Sequence, residues 1–196
     1  SSTHAFSVTI NKFEDSIYIV SFADISETML ENMLLEEKTL RDKLTNAYNR
    51  EFFENNYQKL IETFKSEDMY FGLAMIDIDN FKNINDSYGH NIGDEILINL
   101  VSIINKFSRN DDILIRWGGE EFIIILKVSS EDRLNIILEN IRKTIEKSKI
   151  DKLPTITCSF GGTIYENNEQ INDTIKRADE ALYIAKANGK NKVILK

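Results

Sequence analysis

The amino-acid sequence predicts an α/β fold, with a mixed central sheet flanked by helices and preceded by a coiled-coil helix. Short apolar runs of strand length alternate with stretches of helical spacing along most of the chain. Hydrophobic residues make up 42% of the 196 residues and charged residues 29%, a balance typical of a domain with a buried core. This length corresponds to one ordinary domain with a short appendage.

Residues 6–23 are predicted to form two short strands around a turn. Phe6-Ser-Val-Thr-Ile10 alternates apolar and polar residues, and Ile17-Tyr-Ile-Val-Ser-Phe22 follows a turn at Glu14-Asp15. Asp24 or Ser26 can then act as the N-cap of a helix.

The predicted helix carries a short apolar stripe with coiled-coil spacing. Alternating steps of three and four residues join Leu30, Met33, Glu37, Leu40 and Leu44, so that only Glu37 interrupts the stripe. An amphipathic helix lying on its own domain would show a similar pattern. We favour a parallel dimer helix, because no other core is expected upstream for it to pack against.

The rest of the chain alternates between helices and strands. Helical spacing is found in Arg50–Lys65, Phe81–Tyr88, Gly93–Phe107, Asp132–Lys147 and Ile171–Ala187. Strand-like runs are found in Tyr70–Ile76, Ile113–Trp117, Glu120–Leu126, Thr155–Phe160 and Lys192–Leu195. The two strands around Gly118-Gly119 form a predicted hairpin. Helices packed over a mixed sheet are the simplest arrangement of this order.

Charge and cysteine content limit the possible partners and compartment. A net charge of -8 argues against a nonspecific nucleic-acid surface, although metal ions could still allow a nucleotide to bind. The single cysteine, Cys158, cannot form an internal disulfide, so we expect a cytoplasmic location. The chain begins with Ser1-Ser2, lacks a secretory signal and has no apolar run near the roughly 18 residues of a membrane span. We therefore expect a piece of a longer protein that itself makes no membrane contact, with any membrane attachment lying upstream.

Acidic residues are concentrated at two predicted strand ends. Asp77 and Asp79 follow an apolar strand two residues apart and should point to the same side of it. Glu120 and Glu121 lie at the mouth of the Gly-Gly hairpin. Two such clusters brought together would form a Mg²⁺ or Mn²⁺ site able to activate a hydroxyl and stabilise a leaving pyrophosphate. Solvated acids are also common at strand ends, so the aspartates alone leave both interpretations open.

Four sequence blocks resemble the GGDEF domain family. Arg116-Trp-Gly-Gly-Glu-Glu-Phe122 is similar to the motif that names the family, in its GGEEF variant. Met75–Asp94 resembles the second block of the family almost residue for residue, and Asp42–Arg50 resembles its opening block. Ala178–Lys186, followed by Gly189-Lys-Asn191, resembles its closing block. The resemblance covers residues 42–196 and implies a palm-like nucleotidyl cyclase fold.

This resemblance implies a diguanylate cyclase that condenses two GTP molecules into cyclic di-GMP and two pyrophosphates. Two Mg²⁺ or Mn²⁺ ions would be bound in each active site, and two domains would face each other in a homodimer. The stretch Tyr18–Glu27 resembles the exit of a PAS sensor domain. We therefore expect a sensor remnant at 1–25, a signalling coiled-coil helix at 26–41 and a cyclase domain at 42–196.

The resemblance also assigns catalytic and metal-binding roles. Asp77, the backbone carbonyl of Ile78 and Glu120 would hold the metals. Glu120 or Glu121 would help deprotonate the attacking 3′-hydroxyl, and the sequence does not separate their roles. Lys82 would offset the charge that grows in the transition state.

Substrate phosphates would be bound by Lys186 and Lys190, with Phe81, Gly118 and Gly119 also in the substrate site. Both glycines leave room for a phosphate chain to approach backbone N–H groups, although a bare hairpin turn is also common. The family more often has arginine at position 190. Lysine keeps the charge and loses bidentate geometry, which predicts somewhat weaker GTP binding.

Asn85 and Asp94 are the candidates for guanine recognition. A carboxylate accepts from the N1–H and N2–H₂ groups of guanine, and an amide can meet its acceptors. Unpaired polar groups would penalise adenine, so Asp94 favours GTP. Either residue could instead cap a helix.

Arg109-Asn-Asp-Asp112 resembles the inhibitory site at which this family binds its own product. Arg109 would grip a phosphate or a guanine edge, and Asp112 would accept from the guanine N1–H. A surface salt bridge is the simpler interpretation of such a pair, but its spacing from Gly118 matches the family.

Three other functions were weighed against the cyclase. An inactive domain could serve as a cyclic di-GMP receptor through Arg109 and Asp112, but the Gly-Gly-Glu-Glu-Phe stretch shows no damage. A cyclase for another dinucleotide is opposed by Asp94. A pure dimerisation module would leave the acidic cluster unexplained.

Overall fold

The structure is a computed structural model that describes residues 4–15, 17–109, 111–149, 153–167 and 169–196. Side chains at 13–14 and 32–37 lie outside this description, and so do Ser1, Ser2 and Asn110. The chain divides into two compact units, Ser1–Leu40 and Arg41–Lys196. No helix within the described ranges is long and apolar enough to cross a membrane.

The first unit contains a hairpin and a helix. Strand β1 (Phe6–Glu14) pairs antiparallel with β2 (Ile17–Asp24), and α1 (Ser26–Thr39) follows. The register places six apolar side chains, all at least 47% exposed, on one face of the hairpin: Phe6, Val8, Ile10, Tyr18, Val20 and Phe22. Asp24 accepts hydrogen bonds from the N–H and hydroxyl of Ser26 and so fixes the start of α1. The coiled coil stays a prediction.

The second unit is built on a six-stranded mixed sheet, which confirms the predicted fold class. Its elements are β3 (Tyr48–Asn49), α2 (Arg50–Ser66), β4 (Tyr70–Ile78), α3 (Phe81–Tyr88), α4 (His90–Asn105), β5 (Ile113–Gly118), β6 (Glu121–Val128), α5 (Glu131–Lys147), β7 (Cys158–Ile164), α6 (Ile171–Ala187) and β8 (Val193–Leu195). The strand order is β3-β5-β6-β4-β7-β8. The pairs β3–β5 and β7–β8 are parallel, and the three central pairs are antiparallel.

Apolar residues on both faces of the sheet explain why helices cover both sides. Strand β4 is buried from Phe71 to Ile78, and its alternate residues point to opposite faces. Its even-numbered residues pack with α4 and α5 in one core, which contains Ile76, Ile96, Leu100, Leu134 and Leu138. The odd-numbered residues pack with α2 and α6 in the other core, which contains Leu73, Met75, Phe53, Phe64 and Leu182.

Several predicted boundaries differ from the structure by one to four residues, and in two elements the difference includes a glycine. Helix α4 begins at His90 and runs through Gly93, where a Cβ would lie 2.0 Å from the Asn85 Oδ1. Strand β7 continues through Gly161-Gly162 instead of ending at Phe160. A Cβ at Gly161 would lie 2.1 Å from the Ala178 carbonyl oxygen, so this glycine lets α6 approach the sheet closely.

Candidate active site

Asp77 lies at the end of β4 and forms an ion pair with Lys186, from the last turn of α6. The Lys186 Nζ is 2.7 Å from the Asp77 Oδ2, and the Asp77 side chain is only 9% exposed. Burial raises the pKa of Asp77, Lys186 opposes this effect, and repulsion from Glu120 and Asp79 adds to it. Asp77 is therefore a buried carboxylate that is only partly compensated by its one lysine partner.

Asp79, two residues later, has a different environment. Its carboxylate accepts hydrogen bonds from the hydroxyls of Thr157 and Ser159, both at 2.7 Å, and from the Asn191 N–H at 3.0 Å. Its own N–H donates to the Thr157 carbonyl. Three donors leave Asp79 well satisfied, so it acts as a structural anchor between β4, β7 and the segment after α6.

The Gly-Gly hairpin is fixed by an arginine. Gly119 has a φ of +52°, a left-handed conformation that suits glycine. The Arg116 guanidinium donates to the Gly119 carbonyl oxygen at 2.9 and 3.0 Å and to the Asp42 Oδ1 at 3.0 Å. Asp42 also accepts from the N–H and hydroxyl of Thr45. These bonds join the opening block to the turn that carries Glu120.

Glu121 is paired in register with Asp77 on the neighbouring strand, so the two acidic clusters do meet. Burial raises the pKa of Glu121, and repulsion from Asp77 is the next cause. Lys186 lowers this pKa, while Asp179 and Glu120 raise it. We call Asp77, Glu120, Glu121 and Asp179, together with the Lys186 cation, the acidic cluster. Sequence reasoning missed Asp179, although it lies within the closing block.

The donor set at the acidic cluster suits a hard cation. Asp77 and Glu120 offer carboxylate oxygens, and Ile78 places a backbone carbonyl at the same strand end. Mg²⁺ in nucleotide sites is held by one or two carboxylates, with water and phosphate oxygens completing its shell. Within the described residues no three His, Cys, Asp or Glu side chains form a ready-made metal centre. The oxygen donors of Asp77, Glu120 and the Ile78 carbonyl are of the kind that fit Mg²⁺ or Mn²⁺ in a nucleotide site.

Asn85 on α3 packs closely against Gly93 on α4. The Asn85 Oδ1 is buried and has no hydrogen-bond partner within the described part of the chain. Gly93 makes room for it, because a Cβ there would lie 2.0 Å from this oxygen and 3.2 Å from the Phe81 ring. A buried acceptor without a partner is costly. The role of Asn85 in guanine recognition stays a prediction.

The other predicted substrate residues surround this region. Phe81 is buried, and Lys82 and Asp94 are exposed on the first turns of α3 and α4. The Lys190 ammonium donates to the Asn80 Oδ1 in the turn between β4 and α3. Asn80, with a φ of +60°, was not singled out from the sequence. Gly118 and Gly119 are exposed, and no atom lies within 4 Å of a Cβ built on either.

The predicted inhibitory pair lies between α4 and β5. The Asp112 Oδ2 accepts from the Arg109 N–H at 2.8 Å, and the Arg109 residue is exposed. Burial raises the pKa of Asp112, although hydrogen bonds from the backbone of Arg109 and Lys127 oppose this. The structure therefore brings the pair together through the backbone of Arg109.

Comparison with known proteins gives a consistent result. The model of the family described as "Diguanylate cyclase, GGDEF domain" matches residues 39–192. Diguanylate cyclase DgcM of Escherichia coli K12 is 35% identical over 185 residues, which cover 94% of this chain and 45% of that protein. Diguanylate cyclase A of Treponema denticola is 35% identical over 201 residues, covering 99% of this chain and 53% of that protein. The chain thus spans about half the length of these curated relatives.

A solved structure shows the same fold. The coiled coil and GGDEF domain of DgcB from Caulobacter crescentus, in complex with c-di-GMP, superposes with a TM-score of 0.80 at 28% identity. The superposition covers 87% of this chain and 93% of that one. An active GGEEF domain of a Vibrio cholerae diguanylate cyclase superposes with a TM-score of 0.69 at 31% identity, over 75% of this chain and 96% of that one.

Proposed function

Because this chain belongs to the GGDEF domain family of diguanylate cyclases, we propose that it condenses two GTP molecules into cyclic di-GMP and two pyrophosphates. The observation that carries this proposal is the acidic cluster beside an open Gly-Gly turn. Its acids repel one another around Lys186, which suits a site that binds divalent cations to offset its negative charge before a nucleotide is taken up.

Metal ions would be held by Asp77, the Ile78 carbonyl and Glu120, and we propose two Mg²⁺ or Mn²⁺ ions for each site. When bound, such ions polarise phosphate oxygens and make a hydroxyl easier to deprotonate. The support is the chemistry of the donors, together with the burial and, to a lesser extent, the repulsion from Glu120 and Asp79 that raise the pKa of Asp77. Asp79 is left out of this set because three protein donors already occupy its carboxylate.

The lysines would bind and orient the triphosphate. Lys186 lies 2.7 Å from Asp77, so it can contact both the acidic cluster and the β- and γ-phosphates beside it. Lys190 and the exposed Lys82 flank the start of α3, where positive charge would offset charge growing on the phosphates. Glu120 and Glu121 are the candidate groups for accepting the proton of the 3′-hydroxyl.

Guanine would be read by Asn85 and Asp94. The Asn85 Oδ1 is buried without a partner, and a guanine donor would remove that cost. Asp94 is exposed at the first turns of α4 and can accept from the N1–H edge. Together they favour GTP over ATP.

Two chains would be needed for one product. Each domain offers one nucleotide site, and the product contains two 3′–5′ bonds, so two sites must face each other in a homodimer. Helix α1 would raise the effective concentration of the two domains if it forms a parallel coiled coil. We retain a sensor remnant at 1–25, the signalling helix at 26–41 and the cyclase at 42–196.

Product inhibition would act through Arg109 and Asp112. Both lie in the connection before β5, whose far end carries the Gly-Gly turn. The DgcB structure contains c-di-GMP, which makes the same ligand a reasonable candidate here. The exposed Arg109 could contact a phosphate without disturbing the bond that its backbone makes to Asp112.

The test is incubation of the purified chain with GTP and Mg²⁺, with products identified by chromatography and mass. Wild type, Glu120→Ala and Arg109→Ala are compared, and Glu131→Ala serves as the control because Glu131 is exposed at the opposite end of the sheet. We expect cyclic di-GMP from all variants except Glu120→Ala. Product from Arg109→Ala should persist to higher cyclic di-GMP concentrations than product from wild type.

Other results would change the assignment. If wild type and Arg109→Ala both lack activity while the chain binds added cyclic di-GMP tightly, the domain is a receptor. Equal activity of Glu120→Ala and wild type would contradict the metal assignment. A fragment that neither turns over GTP nor binds cyclic di-GMP, yet becomes active when fused to a strong dimerisation helix, would keep the cyclase assignment and make dimerisation its limiting step.

A further inference from the structure

The segment after α6 has an unusual backbone. Three successive residues adopt left-handed conformations: Gly189 with a φ of +100°, Lys190 with +62° and Asn191 with +46°. This region costs little for glycine but is unfavourable for residues with a Cβ. Such a conformation persists where the surroundings hold it in place. Lys190 is one of the two lysines assigned to the substrate phosphates, so whatever holds this segment also sets the position of that charge.

Helix α5 supplies one of these restraints. The Arg142 Nη1 donates to the Asn191 Oδ1 at 2.8 Å and to the Glu146 Oε2 at 3.1 Å. The Asn191 Nδ2 donates in turn to the Glu146 Oε1 at 2.7 Å. The three side chains form a closed triangle, which we call the α5 clamp. The Arg142 side chain is only 11% exposed and is also oriented by Glu139, so the clamp is partly shielded from solvent.

The backbone of Asn191 connects the clamp to the floor of the active site. Its N–H donates to the Asp79 Oδ2 at 3.0 Å, and Asp79 is 5% exposed at the end of β4. The preceding residue, Lys190, donates to Asn80 beside Asp79. Asn191 thus uses its side chain to contact α5 and its backbone to contact the strand end that carries Asp77.

We propose that Arg142 and Glu146 are positioning residues that hold Asn191, and through it Lys190, in place for the phosphates of GTP. This inference rests on the proposed cyclase function. Neither residue lies in the acidic cluster, so their effect is on the geometry of binding and not on proton transfer. The clamp adds a restraint from α5 to a lysine that has lost the bidentate geometry of arginine.

The first test separates KM from kcat. Arg142→Met should raise the KM for GTP about tenfold, the effect of losing one charge-assisted restraint, with kcat changed by less than about twofold. Arg142→Lys should raise the KM less than Arg142→Met does, because lysine keeps the positive charge. The recovery should be partial, because lysine lacks the planar, bidentate guanidinium group. Lys143→Met is the matched control, since Lys143 is exposed on the same helix and its ion pair within the described residues is with Glu139, outside the triangle.

A second set of variants tests the triangle itself. Asn191→Gly removes both side-chain bonds while it keeps the left-handed backbone and the N–H to Asp79. The KM of Asn191→Gly should rise about as much as that of Arg142→Met. The KM of the double variant should be no higher than that of either single variant, because each of the three proteins lacks the same contact. Additive effects would overturn the clamp as the cause.

Hydrogen exchange gives a readout that does not depend on catalysis. The Asn191 N–H donates to a buried carboxylate and should be protected in wild type and Lys143→Met, and less protected in Arg142→Met. Equal protection in all three proteins would overturn the inference, as would an Arg142→Met KM equal to that of wild type. A wild type that makes no cyclic di-GMP even when it is fused to a strong dimerisation helix would overturn the proposed function instead, and calorimetric binding of GTP to the same variants would then replace KM.

Discussion

The two ends of the central sheet hold charge in opposite ways. At the end where β4 finishes, burial and repulsion from neighbouring carboxylates raise the pKa values of Asp77 and Glu121. At the other end, beyond β7, hydrogen bonds from Arg177 lower the pKa of Glu169 to about 2 despite the opposing effect of partial burial. At the first end, the repulsion between carboxylates would be reduced by a bound cation or substrate. At the second end, Arg177 already stabilises the carboxylate of Glu169. This contrast is expected where an active site is less stable than its scaffold.

The stable end depends on one arginine. Arg177, on the first turns of α6, donates to the Ile164 carbonyl oxygen at 2.8 Å and to the Thr163 hydroxyl at 3.1 Å. It also pairs with Glu169, which accepts from the Thr174 hydroxyl as well. These bonds tie the segment between β7 and α6 to both elements. None of these residues belongs to the acidic cluster, so the two ends can be perturbed separately.

The largest effect should come from neutralising Glu121. Glu121→Gln should lower the rate of cyclic di-GMP formation about a thousandfold if this carboxylate takes part in proton transfer. Its folding stability without metal should stay equal or rise by up to about 0.5 kcal/mol, since repulsion with Asp77 is removed and the site is partly screened by water. Rates and melting temperatures measured beside Glu131→Gln would check this. A clear fall in melting temperature would contradict the contrast between the two ends.

The opposite pattern is expected for Arg177. Arg177→Met should reduce the free energy of unfolding by about 3 kcal/mol, because Glu169 and the Ile164 carbonyl lose a charged partner. The rate per folded molecule should stay within about twofold of wild type. Urea unfolding and turnover would be compared with Lys176→Met, an exposed neighbour on the same helix. Loss of activity without loss of stability would show that the two ends are coupled.

A smaller effect is expected from acid. The folded-state pKa of Glu169 is lowered from 4.5 to about 2, so its stabilising contribution is present above pH 4.5 and is lost as the pH falls toward 2. After allowance for solvent screening, we expect this loss to be about 2 kcal/mol. Urea titrations across this pH range would show it in wild type and a flatter dependence in Glu169→Gln. The same slope in both proteins would place the acid sensitivity elsewhere.

Much of the fold was predictable because it is encoded locally. The predicted bounds of α3 and α6 agree with the structure, and the hairpin around Gly118-Gly119 is where its pattern placed it. The predictions near Gly93 and Gly161 differ from the structure because the periodic apolar pattern used to predict each element does not extend across the glycine. Each glycine in fact continues its element and permits a close contact with a residue elsewhere in the fold. Such a contact depends on the packing partner, which periodicity does not reveal.

The candidate site also contains features that the sequence predicted and features that it did not. Motif spacing singled out the residues of the acidic cluster other than Asp179, and their roles stay predictions. The hydrogen bonds that orient the site were missed, because they join residues that are far apart in sequence, such as Arg116 with Asp42 and Asn191 with Asp79. Strand-end spacing alone treats Asp77 and Asp79 alike, whereas the resemblance assigns only Asp77 to the metals. In the structure the two residues have different partners, from the end of α6 for Asp77 and from β7 for Asp79.

Gly161 has a consequence for the other end of α6. Without a side chain on this residue, the helix backbone rests directly on the sheet at Ala178 and Leu182. The helix is thereby fixed at its middle, with Arg177 toward one end and Lys186 toward the other. A methyl group at position 161 would push α6 away from the sheet and move Lys186 away from Asp77. The distance between Lys186 and Asp77 therefore depends on the absence of a Cβ atom at Gly161, in the strand beneath the helix.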